Sequence, residues 1–165
     1  MMAFVSLGSN LGDSEAIVRN AVAQLQSMSD KPLLKSSLWR TAPVDCPVAS
    51  PFFINAVAGL EPRAEETPQT LLRQLRRLEI FFGREPKTMV NEPRLLDLDL
   101  IAFGLRTANS PELILPHPRA HLRRFVLQPL SEIAPDLILP GQTKPVRELL
   151  ADLKSDESLT VPLAN

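Results

Sequence analysis

Residues 94–104, RLLDLDLIAFG, alternate leucines with two carboxylates: Leu96, Leu98 and Leu100 flank Asp97 and Asp99. In a β-strand, side chains at i and i+2 share a face, so Asp97 and Asp99 point the same way. A half-buried strand with leucines inward and aspartates in water gives the same pattern. Two features weigh against that plain reading. Aspartate is depleted in strands. Two like charges about 6 Å apart repel by about 3 kcal/mol at an effective dielectric of 20. A divalent cation removes the repulsion, and Mg²⁺ is commonly held by one or two carboxylates with phosphates and water completing its shell. The pair therefore directs attention to groups that handle phosphate.

No glycine-rich phosphate cradle is present. GSNLGD at Gly8 lacks a following Lys-Ser/Thr, so it is not a P-loop, and no G-x-G-x-x-G occurs. A phosphate would have to be met by side-chain cations: Arg84, Lys87, Arg94, Arg123 and Arg124 are candidates. Arg94 lies three residues before Asp97, within reach of a phosphate held there through metal. Each of these arginines taken alone also reads as a solvated surface residue. HPRAH holds both histidines, His117 and His121, at i and i+4. That spacing can bind zinc on a helix, but Pro118 interrupts it and no third ligand is near, so a phosphate or nucleotide contact by His117 is the favoured reading. Phe53 and Asn55 share a strand face, where a ring could stack on a heteroaromatic while the amide reads its edge. A core phenylalanine and a structurally bonded asparagine fit as well.

These residues need positioning elements. MAFVSLGSN near the start reads as a strand ending in a Gly/Ser/Asn turn. Asp13 is an N-cap, and Ile17, Ala21, Leu25 and Met28 follow at helical spacing. LLKSSLWRTA and FFINAVAGLEP are two further strands separated by the loop PVDCPVASP. Thr67 and Pro68 open a second helix with the stripe Leu71, Leu75, Leu78 and Phe82, closed by Gly83. Residues 84–94 form a polar loop, and the aspartate strand follows. Residues 111–118 are loop or short strand, 119–134 partly helical, and 145–153 a last short helix. The order β-α-β-β-α-β predicts an α+β, ferredoxin-like antiparallel sheet with helices on one face and a C-terminal extension. The last ten residues are expected to fray.

The 165 residues suit a single domain, with 44% hydrophobic and 22% charged residues. A net charge of −1 argues against a general nucleic-acid binder. Charge is unevenly spread: residues 84–124 carry seven Lys/Arg against five Asp/Glu, and residues 125–165 carry three against six. Basic character thus gathers around the aspartate strand. Cys46 is the only cysteine, so no internal disulfide forms, and nothing nearby resembles a base that would make it a catalytic thiol. No stretch reaches the length of a membrane span, and the chain reads as cytoplasmic.

SLGSNLGD, WRTAPV, FINAVAGLE, the GR of 83–84, PRLLDLDLIAFG and LPHPRAHLRRFVLQPLSEIAP occur in that order over roughly residues 2–150. Together they resemble the 6-hydroxymethyl-7,8-dihydropterin pyrophosphokinase family of folate biosynthesis. The resemblance implies transfer of the β,γ-pyrophosphoryl group of ATP, as co-substrate, to the pterin hydroxymethyl oxygen, with release of AMP. It implies two Mg²⁺ ions on Asp97 and Asp99, and catalytic-loop arginines at Arg84 and Arg94. His117 and Arg123 would contact nucleotide phosphates. Asn55 would bind the pterin edge, Phe53 and Phe125 would sandwich the ring, and Thr41, Ala42, Pro43 and Val44 would complete the pocket. The expected partners are the two small molecules alone, with no nucleic acid or membrane, acting on a monomer.

The chain departs from many members in the loop GREPKTMVNEPR. Pro86 stands where they carry arginine, the loop has no tryptophan, and Pro118 replaces an aromatic after the histidine. Lys87 would then supply charge that others take from arginine, as a further nucleotide contact. Two other readings stay open: a non-catalytic pterin- or nucleotide-binding relative, and an RNA-binding module on a ferredoxin-like sheet. The second needs a basic sheet face, and FFINAVAGL has no basic residue.

Overall fold

A computed structural model describes residues 1–43, 46–86, 90, 92–154 and 159–163 of the chain. Strand β1 (Ala3–Ser9) is buried along its whole length. Helix α1 (Ser14–Leu25) starts at the expected cap, where an Asp13 carboxylate oxygen accepts from the Ala16 N–H at 3.1 Å. The second expected strand is split into β2 (Leu34–Lys35) and β3 (Leu38–Thr41). Both pair with β4 (Phe53–Leu60). The break has a cause in tertiary contacts. Ser36 Oγ accepts from the Val57 N–H at 2.9 Å, and the Ser37 N–H turns to a Glu132 carboxylate at 3.1 Å, so side chains take over bonds a continuous ladder would make.

Helix α2 (Pro68–Phe81) is held at its start by Thr67 and Thr70, each accepting from the other's backbone N–H, with Pro68 in the first turn. Its stripe of Leu71, Leu75 and Leu78 is buried, and Gly83 leaves the helix at φ +92°. Strand β5 (Asp97–Phe103) begins at the first aspartate. A small hairpin follows, β6 (Ala108–Asn109) and β7 (Ile114–Leu115). Then come α3 (Arg124–Ile133), α4 (Val146–Asp152) and β8 (Leu159–Leu163).

The main sheet runs β5-β1-β4-β3-β8, antiparallel throughout, with β2 also on β4. Leaving out the short β2 and the added β8, this is the strand order of a ferredoxin-like unit, as expected. Two additions come from the C-terminal third. Residues 159–163, in the stretch where fraying was expected, run along β3 as an edge strand. Helices α3 and α4 cover part of the second sheet face, so the helices are not confined to one face. One core joins α1 and α2 to Val5, Leu7, Ala56, Ala58, Leu98 and Leu100. The other joins α3 and α4 to Phe4, Val57 and Ile101. The second face is closed at the Phe4, Val57 and Ile101 end of its strands, and the open Gly8, Asn55 and Asp97 end forms the floor of a cleft.

Candidate active site

Antiparallel register builds the cleft floor. Gly8 on β1 lies opposite Asp97 on one side and Asn55 on the other. Asn55 in turn lies opposite Trp39. One row across the sheet therefore reads Asp97, Gly8, Asn55, Trp39, and the next row carries Asp99 beside Ser6. Opposite residues in such pairs share a face. Asp97 and Asp99 thus point together into a cleft of about 760 Å³, as the alternation predicts.

The cleft collects residues from distant parts of the chain. Thr41, Ala42, Phe53, Asn55 and Phe125 line one part, and Arg84, Arg94, Asp97, Asp99, His117 and Arg123 another. Pro43 is not among the lining residues, and Val44 and Lys87 lie outside the described residues. His121, the second residue of the zinc alternative, does not reach the cleft. Among the described residues there is no group of three or more His, Cys, Asp or Glu placed to hold a metal. None of their helices is long and apolar enough to cross a membrane.

Charge in the aspartate half is tightly arranged. Arg84 Nη1 lies 3.2 Å from Asp97 Oδ1, and Arg94 Nη1 lies 3.1 Å from Asp97 Oδ2. The Arg94 backbone is fixed by buried Asn10, whose Oδ1 accepts from the Arg94 N–H at 2.9 Å and whose N–H donates to the Arg94 carbonyl at 3.1 Å. Asp99 makes no hydrogen bond or ion pair among the described residues. Burial, and then the neighbouring Asp97 charge, push its carboxyl up to about 6. The Arg123, Arg94 and Arg84 charges offset this only in part, since none of them pairs with Asp99 directly. Such a pair fits a hard divalent cation that draws its remaining ligands from phosphate and water.

Burial and the cationic Arg123 and Arg119 hold His117 down at about 4. Its Nδ1 accepts from the Arg119 N–H at 3.2 Å, which leaves the proton of the neutral ring on Nε2. In the other half, Asn55 Nδ2 donates to Thr41 Oγ1 at 2.6 Å, and both residues are buried. The Arg123 guanidinium lies 5.3 Å from the Phe125 ring centre.

Sequence reasoning missed Gly8, Ser6, Arg76, Arg119 and Glu79, which also line the cleft. Glu79 carried a signal: it stands four residues after Leu75, where the α2 stripe calls for an apolar side chain.

Residues 4–135 match the family model described as 7,8-dihydro-6-hydroxymethylpterin-pyrophosphokinase (HPPK). A 2-amino-4-hydroxy-6-hydroxymethyldihydropteridine pyrophosphokinase of Methylorubrum extorquens is 36% identical over 152 residues, 92% of this chain and 92% of its own length. The Pseudomonas aeruginosa protein of that name is 37% identical, over 90% of this chain and 89% of its own. The folic acid synthesis protein fol1 of Pneumocystis carinii is 36% identical over 83% of this chain, which spans only 18% of that longer protein. Among solved structures, a wild-type Plasmodium falciparum HPPK-DHPS superimposes with a TM-score of 0.69 at 12% identity. That match covers 91% of this chain and 42% of the other, and supports the fold alone. With most of its length matched by the family model and by full-length relatives above 30% identity, the chain belongs to the 7,8-dihydro-6-hydroxymethylpterin-pyrophosphokinase (HPPK) family.

Proposed function

We propose that the chain transfers the β,γ-pyrophosphoryl group of ATP to the hydroxymethyl oxygen of 6-hydroxymethyl-7,8-dihydropterin and releases AMP. The observation that carries this reading is the row Asp97, Gly8, Asn55. It sets a carboxylate end and a buried amide end two strand spacings apart, about 10 Å, on one cleft floor. That separation suits a heteroaromatic ring at one end with its reacting substituent reaching toward the other.

Asn55 and the aromatic faces of Phe53 and Phe125 bind and orient the pterin, with Thr41 fixing the Asn55 amide. Ala42, Pro43 and Val44 complete the ring's surroundings. Asp97 and Asp99 hold Mg²⁺, two ions by the family resemblance, which when bound neutralise and orient the triphosphate. Arg84, Arg94 and Arg123 supply fixed positive charge to phosphate oxygens, and Lys87 adds to it from the loop. Neutral His117 offers its Nε2–H to a phosphate oxygen. Transfer of this kind needs in-line placement and charge stabilisation more than a strong base. The chain acts as a cytoplasmic monomer on these two small molecules, without nucleic-acid or membrane partners.

The test is AMP formation from Mg²⁺–ATP with and without the pterin, for the wild type, Asp97→Ala and Asp99→Ala. Pterin-dependent AMP in the wild type, lost in both variants, is expected. Tight pterin or ATP binding by calorimetry without AMP would replace this reading with a non-catalytic binding protein.

A further inference from the structure

Among the described residues Glu79 is the only charged side chain that is fully buried, 5% exposed. It occupies α2 where the stripe of Leu71 and Leu75 would continue, and the Asp97 and Asp99 charges lie close enough to disfavour its own. A carboxylate in that stripe is penalised by desolvation, so what it bonds to decides why it is there. The apolar packing of α2 alone therefore gives no reason for a carboxylate at this position.

Its contacts do give one. Glu79 Oε1 accepts from the Leu98 N–H at 2.8 Å and lies 2.5 Å from Arg84 Nη1. The Glu79 carbonyl also accepts from the Arg84 backbone N–H at 3.0 Å. Leu98 sits between the two aspartates on β5, an edge of the sheet, so its N–H is met by this carboxylate and not by a neighbouring strand. The same Arg84 Nη1 is shared with Asp97 Oδ1. If Asp97 turns to another ligand, Arg84 loses one of its two anionic partners, and Glu79 keeps the guanidinium at the cleft.

We propose that Glu79 is a positioning residue for the transfer, holding the Arg84 guanidinium and the Asp97–Asp99 segment of β5 in register with one another at the triphosphate end of the cleft. The proposal rests on the reading of the cleft given above.

Two substitutions separate charge from packing. Glu79→Gln keeps an acceptor for the Leu98 N–H and removes the charge that holds Arg84. Glu79→Leu restores the apolar stripe. Both are expected to fold, with Glu79→Leu melting lower than the wild type because it leaves the Leu98 N–H and the Arg84 guanidinium without this acceptor. kcat for pterin-dependent AMP formation should fall about tenfold in Glu79→Gln and about a hundredfold in Glu79→Leu, with KM for pterin unchanged. In an Arg84→Ala background, Glu79→Gln should change kcat by less than about twofold, because its partner is gone. Unchanged kcat in Glu79→Gln, or losses that multiply in the double variant, overturns the proposal.

A readout independent of turnover is the Arg84 Nε–H signal in ¹⁵N NMR, identified by its loss in Arg84→Ala. Its hydrogen exchange should be slow in the wild type and accelerate in Glu79→Gln. Equal exchange in the two proteins overturns the proposal whether or not AMP forms. A wild type that forms no AMP but shows the expected exchange difference removes the pyrophosphokinase reading and leaves the Glu79–Arg84 tether standing.

Discussion

A Cβ atom on Gly8 would lie 2.9 Å from Asn55 Oδ1, a separation that real side chains do not adopt. Gly8 is thus glycine because the amide across the strand fills the place of a side chain. The amide is fixed from its other end, where Nδ2 donates to Thr41 Oγ1. Gly8→Ala is expected to turn the amide away, at an overpacking cost of about 1–3 kcal/mol that leaves the fold intact. Pterin affinity, read by fluorescence titration, should fall about tenfold or more because a buried polar reader is misaligned. ATP affinity should hold. Unchanged pterin affinity would show that Asn55 does not read the ring.

Asp99 yields a prediction of opposite sign to the usual acidic residue. Its folded pKa of about 6 lies above the ordinary 3.8, so the fold binds this proton more tightly than the unfolded chain does. The associated stability is full below the ordinary value and is lost as pH rises through about 6. At pH 7.5 in EDTA, Asp99→Asn should therefore be more stable than the wild type by about 1–3 kcal/mol in urea unfolding. The gain should shrink toward zero near pH 4. Mg²⁺ should narrow the gap by stabilising the wild type alone. An Asn variant that is less stable at pH 7.5 would mean that Asp99 is already compensated within the fold.

Glu132 links α3 to β3. Its Oε1 accepts from Trp39 Nε1 at 2.5 Å, and its Oε2 accepts from the Ser37 N–H at 3.1 Å and the Ser37 hydroxyl at 2.8 Å. Glu132→Ala should cost about 1–3 kcal/mol, the range for lost bonds to a charged acceptor. Trp39 is the only tryptophan, so its emission reports this contact directly and should change in the variant. An unchanged spectrum and stability would remove Glu132 as a tie between α3 and the sheet.

Much of the fold is legible because the relevant signals are local. Asp13 and Thr67 cap the helices they precede, and the Leu71, Leu75 and Leu78 stripe turns α2 inward. The split of the second strand is not local: Ser36 reaches Val57 and Ser37 reaches Glu132, partners set by tertiary structure. The second layer of helices is hidden for a similar reason. A helix is visible in residues 119–134, but nothing in its periodicity says which sheet face it covers.

The site divides the same way. Asp97 and Asp99, or Phe53 and Asn55, are visible because strand alternation alone puts each pair on one face. Gly8 becomes meaningful only once register sets it between Asp97 and Asn55. Glu79 stands in sequence where the α2 stripe calls for an apolar residue, but only the three-dimensional packing shows what its carboxylate meets, Leu98 and Arg84.

His117 tests the electrostatics of the cleft without any substrate. Burial and the Arg123 and Arg119 charges bring its pKa down from the ordinary 6.5 to about 4. The unfolded chain therefore takes up this proton first as pH falls. The neutral ring's contribution is intact above 6.5 and is lost as pH falls toward 4. The Cε1–H NMR signal of His117, assigned by its loss in His117→Gln, should stay in place between pH 8 and 5. Over the same range, stability should decline less steeply in His117→Gln than in the wild type. A neutral ring also brings no charge to a bound nucleotide. His117→Gln should then weaken ATP binding without altering its salt dependence, whereas Arg123→Ala should reduce both affinity and salt dependence. A His117 midpoint near 6.5 would mean that the ring is hydrated and its Nδ1 is not held by the Arg119 N–H, and the assigned Nε2–H donor would fall with it.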